Sequence, residues 1–527
     1  MVVVEFAYED MSRLIDLPRD RMVAYLSDLG APSEYEAEVD KIIVELTPNR
    51  PDWYSMEGLA RALRAYTKKE KRAYSTKKSD YLVRIDPSVE KIRPFTVCAI
   101  IKGLSLDDRR IRDLVLLQEK LLGTLGRRVK KFGLGLYPLH AIRFPLKYTT
   151  MDPSEIRYIP LGYEEVMDAD DILEKHKKGQ QYGGILKGQM RYPVFVDADD
   201  RIMALIPIVN SQETGKVDEK TKDIFIEVTG TEMHSCNAAL NILACTFADM
   251  GGQVYEVRLD YGKKKITTPD LSERVVDFDL AQANKILGLG LKEKEVGELL
   301  AKMGFGYKKG KVSVPPYRAD ILGQIDIIED IAIAYGYNRF APTTPDFFNP
   351  GIALKSFDEV DAVMRGMGFT ETKTFILTNK ERLDLVGGSQ EAVEIANPGN
   401  ADYTVVRTNL LVDMLETLKI NKMKGLPQRF YEIGIVHDGK SASKRLIFGI
   451  MDKELEFSSV RGYLQTIAAE RGFSFALQKK KAKAFDPGLS CAVLVDGKEK
   501  GVFGKISSEL LQKEGLEFQV YVCELWL

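Results

Sequence analysis

The chain has 527 residues, 45% of them hydrophobic and 29% charged, with 75 Lys and Arg balanced against 77 Asp and Glu. This ordinary globular composition is long enough for about three or four domains of roughly 150 residues and excludes a disordered chain. The formal charge of −2 argues against a protein that holds nucleic acid through overall basicity, so any RNA contact must be local or be supplied mostly by a partner chain. No apolar run approaches the roughly 20 residues of a membrane span, and Met1-Val-Val-Val-Glu-Phe6 lacks the basic start of a signal peptide. Cysteines 98, 236, 245, 491 and 523 form no Cys-x-x-Cys pair, and histidines 140, 176, 234 and 437 lack metal-ligand spacing. These features predict a cytoplasmic protein without a membrane partner, a disulfide framework or a zinc site.

In chain order, a first module over 1–77 carries a helix at 22–29 closed by Gly30. Thr47-Pro-Asn-Arg-Pro-Asp52 then leads into a helix over 53–66 that ends in Ala65-Tyr66. A central region, 88–262, opens with a strand at 96–101, an amphipathic helix at 114–122 and a basic turn, Arg127-Arg-Val-Lys-Lys131. Gly133-Leu-Gly135 follows the turn and reads as a strand edge. Strands at 192–196, 203–209 and 223–228, a helix at 238–250 and a strand at 253–259 predict an α+β domain. Gly262-Lys-Lys-Lys265 and Thr267-Thr-Pro269 read as a linker.

The region 270–342 repeats the grammar of the first module. A helix at 296–303 closed by Gly304 precedes Pro315-Pro-Tyr-Arg-Ala-Asp320, and a helix ending in Ala334-Tyr335 follows. In this copy Asp326, Glu329 and Asp330 fall at i, i+3 and i+4, on one helical face, with Asp320 just upstream. Ile325, Ile328, Ala332 and Tyr335 form the neighbouring apolar stripe. Like charges so placed call for a compensating cation, and Mg²⁺ suits an all-carboxylate shell. The first copy has Glu57, Gly58, Leu59, Ala60 and Arg61 instead, so the module folds without that cluster. The competing accounts are an ordinary solvated acidic helix face and neutralisation by Arg318, two residues from Asp320, or by basic residues of a partner chain.

Ala341-Pro-Thr-Thr-Pro345 marks the next boundary. The last region, 346–527, predicts a helix at 357–367, a strand at 371–377, a helix at 410–420, and strands at 429–436 and 492–504, the latter turning at Asp496-Gly497.

Several of these motifs, in order, resemble one family. They are Leu46-Thr-Pro-Asn-Arg-Pro-Asp52, Pro207-Ile-Val-Asn-Ser211, Phe225-Ile-Glu-Val-Thr-Gly-Thr231, Arg318-Ala-Asp320 through Tyr335-Gly-Tyr-Asn338, and Val406-Arg-Thr-Asn-Leu410 with Tyr431-Glu-Ile-Gly434 and Phe485-Asp-Pro-Gly488. Over nearly its whole length the chain resembles the β subunits of phenylalanyl-tRNA synthetase, archaeal and eukaryotic type. The resemblance implies an (αβ)₂ heterotetramer in which the α subunit binds ATP and phenylalanine and charges tRNA(Phe). It also implies a catalytic-like but inactive class II domain at 346–527 and Mg²⁺ on Asp320, Asp326, Glu329 and Asp330, near the α subunit. Arg407 and Arg429 are candidates for an ATP-contacting arginine, but a Gly-rich strand–helix motif ending in Glu-Arg is missing.

For the central domain the resemblance implies hydrolysis of mischarged Tyr-tRNA(Phe). A phenylalanine pocket cannot strongly reject an analogue that merely adds a hydroxyl, so a second site is needed. On the matching segments lie Asn210, Ser211, Glu227, Thr229, Thr231, Glu232 and His234. Strand alternation points Glu227, Thr229 and Thr231 to one face, where they would bind an amino group, hold a water or recognise a phenol. Arg127, Arg128, Lys130 and Lys131 are candidates for the tRNA backbone. Two other readings compete: an autonomous deacylase of mischarged tRNA, and a Mg²⁺-dependent phosphoryl-transfer enzyme built on the four carboxylates.

Overall fold

In the computed structural model, which describes residues 2–344 and 358–527, the chain divides into two units at Thr344/Pro345. The first unit opens with β1 (Val2–Ala7), α1 (Tyr8–Leu14), α2 (Arg19–Asp28), β2 (Ser33–Glu36), β3 (Lys41–Leu46) and α3 (Met56–Lys68). The sheet order is β1-β3-β2. Alternation along β3 buries Ile42, Val44 and Leu46 against the helices. The Ser55 hydroxyl caps α3 by accepting from Gly58 N at 3.1 Å, satisfying one of the free N–H groups of its first turn. The helix starts three residues later than its hydrophobic pattern predicts, because Pro51–Trp53 forms a tight 3₁₀ turn.

The central region comprises β4 (Leu82–Ile85), β5 (Phe95–Lys102), α4 (Asp108–Gly123), β6 (Phe132–Pro138), β7 (Leu146–Met151), β8 (Arg157–Tyr158) and β9 (Met167–Asp168). It continues with α5 (Ala169–Lys175), α6 (Lys177–Tyr182), β10 (Tyr192–Val196), β11 (Ile202–Leu205), β12 (Val209–Asn210), α7 (Gln212–Gly215) and β13 (Ile224–Gly230). It closes with α8 (Met233–Asp249), β14 (Gln253–Tyr255), β15 (Val257–Asp260) and β16 (Lys265–Thr268). A four-stranded sheet, β14-β5-β13-β6, and a seven-stranded sheet, β12-β11-β10-β7-β4-β15-β16, form its two layers. One face of the smaller sheet (Val97, Ala99, Ile224, Ile226, Val228) packs on α8. The other (Cys98, Ile100, Tyr137, Phe225) shares a core with the larger sheet.

Two predicted strands break. The segment 203–209 is interrupted by a turn at Ile206–Pro207, whose peptide is cis. The segment 253–259 divides between the two sheets, β14 pairing with β5 and β15 with β4. Periodicity reports which side chains are buried, not which sheet they join.

The second module repeats the first element for element: β17 (Arg274–Asp277), α9 (Leu280–Leu287), α10 (Glu293–Lys302), β18 (Gly306–Lys308), β19 (Lys311–Val314) and α11 (Gln324–Tyr335). Its sheet, β17-β19-β18, has the same first-third-second order. Arg50–Asp52 and Arg318–Asp320 occupy matching places, each three residues before the N-cap of the last helix (Ser55 and Gly323). The apolar face of α11 differs from the predicted stripe. Ile328 and Ala332 of that stripe are buried and Ile327, Ile331 and Ala334 join them, whereas Ile325 is 59% exposed.

The second unit is a mixed sheet of seven strands, in the order Thr370–Glu371, Gln428–His437, Ala442–Asp452, Gln519–Trp526, Lys498–Ile506, Phe485–Val495 and Phe475–Lys479. All pairs are antiparallel except the first. Helices Leu411–Ile420 and Ser508–Glu514 cover one face. Helices Asp358–Gly366 and Phe457–Glu470 cover the other. The predicted strand at 371–377 is two short strands, Thr370–Glu371 and Leu377–Thr378. Pro345 of the predicted boundary and Phe357 of the predicted helix lie outside the described residues. Mixed α+β architecture holds throughout, and no described helix is long and apolar enough to cross a membrane.

Candidate functional site: a slot over a buried carboxyl

Register builds the site. On the β13–β6 ladder Glu227 faces Gly135, Thr229 faces Gly133 and Phe225 faces Tyr137. Two glycines at alternate positions of an edge strand leave that face without side chains. Pro207 comes down over Gly133, its Cβ 2.6 Å from where a side chain would begin. Glu227 and Tyr137 close in over Gly135, where a Cβ would lie 2.8 Å from Glu227 Oε1 and from the Tyr137 hydroxyl, and both glycines line a slot of about 200 Å³. Its walls are Ile111, Leu114 and Leu122 of α4 on one side and the segment Pro207 to Asn210 with Gly215 on the other.

At the floor, Glu227 is 2% exposed. The Tyr137 hydroxyl lies 3.1 Å from Asn210 Oδ1 and 3.4 Å from Glu227 Oε1. Asn210 is fixed from its other end by donating Nδ2 to Leu136 O at 3.3 Å. Glu227 Oε2 is buried and has no hydrogen-bond partner among the described residues. Burial pushes the Glu227 carboxyl up to about 8, against the opposing pull of Arg93 and Tyr137, because low dielectric disfavours the charged form. It is therefore mostly neutral at pH 7.

The other predicted residues do not join Glu227 and Asn210. Ser211 is a helix cap, its hydroxyl accepting from Glu213 N at 3.2 Å. Thr229 is fully buried and held by Arg93, which donates Nη2 and Nε to its carbonyl at 2.9 and 3.2 Å. Thr231 is past the end of β13, exposed, with its hydroxyl on the Lys130 carbonyl at 3.3 Å. Glu232 pairs with Lys131 at 2.6 Å and accepts from Ser235 Oγ at 2.5 Å, which hold its carboxyl below the usual range. His234 is exposed on the first turn of α8 and lines a separate cavity beside the second module. Alternation places residues on a face, but the strand ends at Gly230 and the shared face does not become a shared cavity.

Two partners had no signal strong enough to find. Tyr137 was hidden within an apolar strand, although the Gly-x-Gly-x-Tyr spacing marks the emptied face. Arg93 is fully buried and makes no ion pair among the described residues. It donates to the carbonyls of Thr229 and Val129 instead, and burial lowers its basicity. It thereby braces the basic turn, in which Arg127, Arg128 and Val129 all have positive φ and the two arginines face solvent.

The acidic cluster divides into three roles rather than forming one ligand shell. Arg318, almost wholly buried, donates Nη2 to Asp320 and Asp330, each at 2.6 Å. Burial raises the Asp320 carboxyl, but Arg318 outweighs it and holds the group below its usual range. At Asp330 burial wins and the carboxyl is pushed up. Asp326 caps α11, its Oδ2 accepting from Leu322 N and Gly323 N at 2.7 and 2.8 Å. Glu329 is exposed and makes no hydrogen bond or ion pair among the described residues. As placed, no described group of three or more His, Cys, Asp and Glu side chains is arranged to hold a metal. All four nevertheless line one cleft of about 680 Å³ between the two modules. Phosphoryl transfer would need these carboxylates free together, and two are paired.

In the second unit Arg407 is committed internally. It reaches Asp413 at 3.0 Å and Glu432 at 2.8 Å and donates Nε to Ile435 O at 3.0 Å. A guanidinium so engaged is not available to a nucleotide phosphate. Arg429 lies over the Tyr463 ring, 5.8 Å from its centroid.

Comparison with known proteins gives first the class and then the family. Residues 276–337 match the tRNA synthetase B5 domain, and residues 342–527 match the phenylalanyl tRNA synthetase beta chain CLM domain. The chain is thus built from aminoacyl-tRNA synthetase domains. It is 36% identical to the phenylalanine–tRNA ligase beta subunit of Archaeoglobus fulgidus, over 99% of this chain and 97% of that one. It is 33% identical to that of Methanosphaera stadtmanae, over 100% and 99%. A crystal structure of an N-terminal fragment of the Pyrococcus horikoshii beta subunit superposes with a TM-score of 0.60 at 34% identity, covering 63% of this chain and 99% of the fragment. The chain belongs to the phenylalanine–tRNA ligase beta subunit family.

Proposed function

We propose that this chain works in the cytoplasm with an α subunit, in an (αβ)₂ assembly that charges tRNA(Phe) with phenylalanine, and that its slot removes tyrosine from mischarged tRNA(Phe). The observation that carries the editing reading is the buried Glu227 carboxyl on a mostly apolar slot, its Oε2 without a hydrogen-bond partner among the described residues. An aromatic ring fits the walls, and a phenol hydroxyl reaching the floor supplies the missing partner of Oε2. Phenylalanine in the same slot leaves that oxygen buried and unpaired, which costs about 1–3 kcal/mol. The slot therefore selects what the synthetic site cannot reject. A neutral carboxyl is poorly suited to activating water, so Glu227 reads the hydroxyl rather than attacking the ester. Arg127, Arg128 and Lys130 face solvent and would meet the tRNA backbone.

Phenylalanine and ATP belong to the α subunit in this reading, since Arg407 is spent on its own fold. Mg²⁺ fits the cleft between the modules in a restricted way. Asp326 Oδ1 and both Glu329 oxygens carry no hydrogen bond among the described residues, whereas Asp320 and Asp330 already answer to Arg318. Asp326 and Glu329 would contact the ion, with waters and partner-chain oxygens filling its preferred six positions, and Asp320 and Asp330 would bind through water.

The test is Glu227→Ala in the enzyme assembled with its α subunit. Hydrolysis of Tyr-tRNA(Phe) should fall roughly 100-fold while phenylalanine-dependent pyrophosphate exchange stays at the wild-type rate. Unchanged hydrolysis would remove Glu227 from the site. The isolated chain should show only background exchange, and deacylation by a lone chain at the full rate would favour the autonomous hydrolase.

A further inference from the structure

Tyr137 does not line the slot, yet it touches both polar groups at its floor. Its hydroxyl stands between Asn210 Oδ1 at 3.1 Å and Glu227 Oε1 at 3.4 Å. A phenol has one proton to donate and lone pairs with which to accept. It can therefore give its proton to the amide oxygen and accept from the carboxyl, or donate to Glu227, but it cannot donate to both. The ring is fixed by packing, its centroid 5.9 Å from that of Phe225, which in turn meets Phe144 edge-on at 5.6 Å. Gly135 completes the arrangement. A Cβ there would lie 2.8 Å from both Glu227 Oε1 and the Tyr137 hydroxyl, closer than van der Waals contact allows. One oxygen of Glu227 is thus engaged from behind, while Oε2 remains buried and unpartnered.

We infer that Tyr137 is the positioning residue that sets the slot's preference for a hydroxylated ring: it anchors Glu227 Oε1 and Asn210 so that Oε2 is the one carboxyl oxygen left without a partner among the described residues. The inference rests on the editing reading above and goes beyond it by naming what fixes the reader. Without the Tyr137 hydroxyl, both carboxyl oxygens lack a protein partner and the group can turn or recruit water. A water bound there answers the carboxyl as well as the substrate hydroxyl does, and the advantage of tyrosine over phenylalanine shrinks.

The experiment uses the assembled αβ enzyme with Tyr137→Phe, which deletes a single oxygen, and compares hydrolysis of Tyr-tRNA(Phe) with that of Phe-tRNA(Phe). The tyrosine-over-phenylalanine ratio of kcat/KM should drop about tenfold, the worth of one well-placed hydrogen bond. Phenylalanine activation should stay at the wild-type rate. Gly135→Ala, which pushes on the same two oxygens, should lower the ratio in the same direction. An unchanged ratio in Tyr137→Phe, or an equal loss on both esters, overturns the inference. A wild-type enzyme that hydrolyses neither ester overturns the editing reading itself, and the inference with it.

Discussion

Two regions of the first unit bury carboxyl groups and handle them in opposite ways. Glu227 is buried with no ion pair among the described residues: Arg93 is near enough to pull on it electrostatically but donates to carbonyls. Its carboxyl stays mostly neutral. Asp320 and Asp330 are buried against Arg318, which bridges both. The first arrangement suits recognition of an uncharged hydroxyl. The second suits holding an acidic surface in place, with Asp326 and Glu329 left facing the cleft. A partner cation, or its absence, decides what a buried acid can do.

Removing the cation is the largest perturbation. Arg318→Met leaves two carboxyls buried together without their ion-pair partner and should destabilise the first unit by about 3–5 kcal/mol, read as a lower denaturant midpoint. Asp320→Asn in the same background should recover part of that loss. If Arg318→Met proves neutral, Asp320 and Asp330 are accessible to water and the comparison loses one side.

Glu227 should respond to pH in the opposite sense to a salt-bridged acid. Its folded value of about 8 lies above the ordinary 4.5, so the native state binds a proton that the unfolded chain releases. Its share of stability is complete below about pH 4.5 and is lost as pH rises through 8, a change of a few kcal/mol at most. Glu227→Gln should flatten the fall in stability between pH 5 and 8.5 relative to wild type, measured by chemical denaturation at several pH values. An identical slope in both proteins would mean that Glu227 is ionised in the fold.

The smallest effect belongs to the acids that face the cleft. With Mg²⁺ bound, chelation should lower the melting temperature of the αβ assembly by a few degrees, and added Mg²⁺ should restore it by mass action. Asp326→Asn should abolish that response with little loss of fold, although its Oδ2 also caps α11. An assembly indifferent to both leaves these groups as an acidic surface.

The sequence makes the duplication legible because it depends on local grammar: a Pro-x-Arg-x-Asp turn, then a capped helix. The structure gives both copies the same strand order. Glu227 is legible as an acid between Ile226 and Val228, facing away from both. Ser211, Thr231, Glu232 and His234 fail as companions of Glu227 because motif proximity does not say where a strand stops or which side chains are taken by caps. Ser211 caps α7, and Glu232 is spent on Lys131 and Ser235. Tyr137 lies 90 positions from Glu227 in the chain, and only the β13–β6 register brings it near. Ile325 is exposed because it lies in the first turn of α11, off the face of Ile327, Asp330, Ile331 and Ala334 that is buried with Arg318.

The most direct test of the account is a crystal structure of the αβ enzyme with a non-hydrolysable 3′-tyrosylamino-adenosine. The account predicts the tyrosyl ring between α4 and the Pro207–Asn210 segment, with its phenol oxygen about 2.6–3.0 Å from Glu227 Oε2, and no comparable density for the phenylalanyl analogue at the same concentration. A phenol oxygen bonded elsewhere, or both analogues bound alike in the slot, would contradict it.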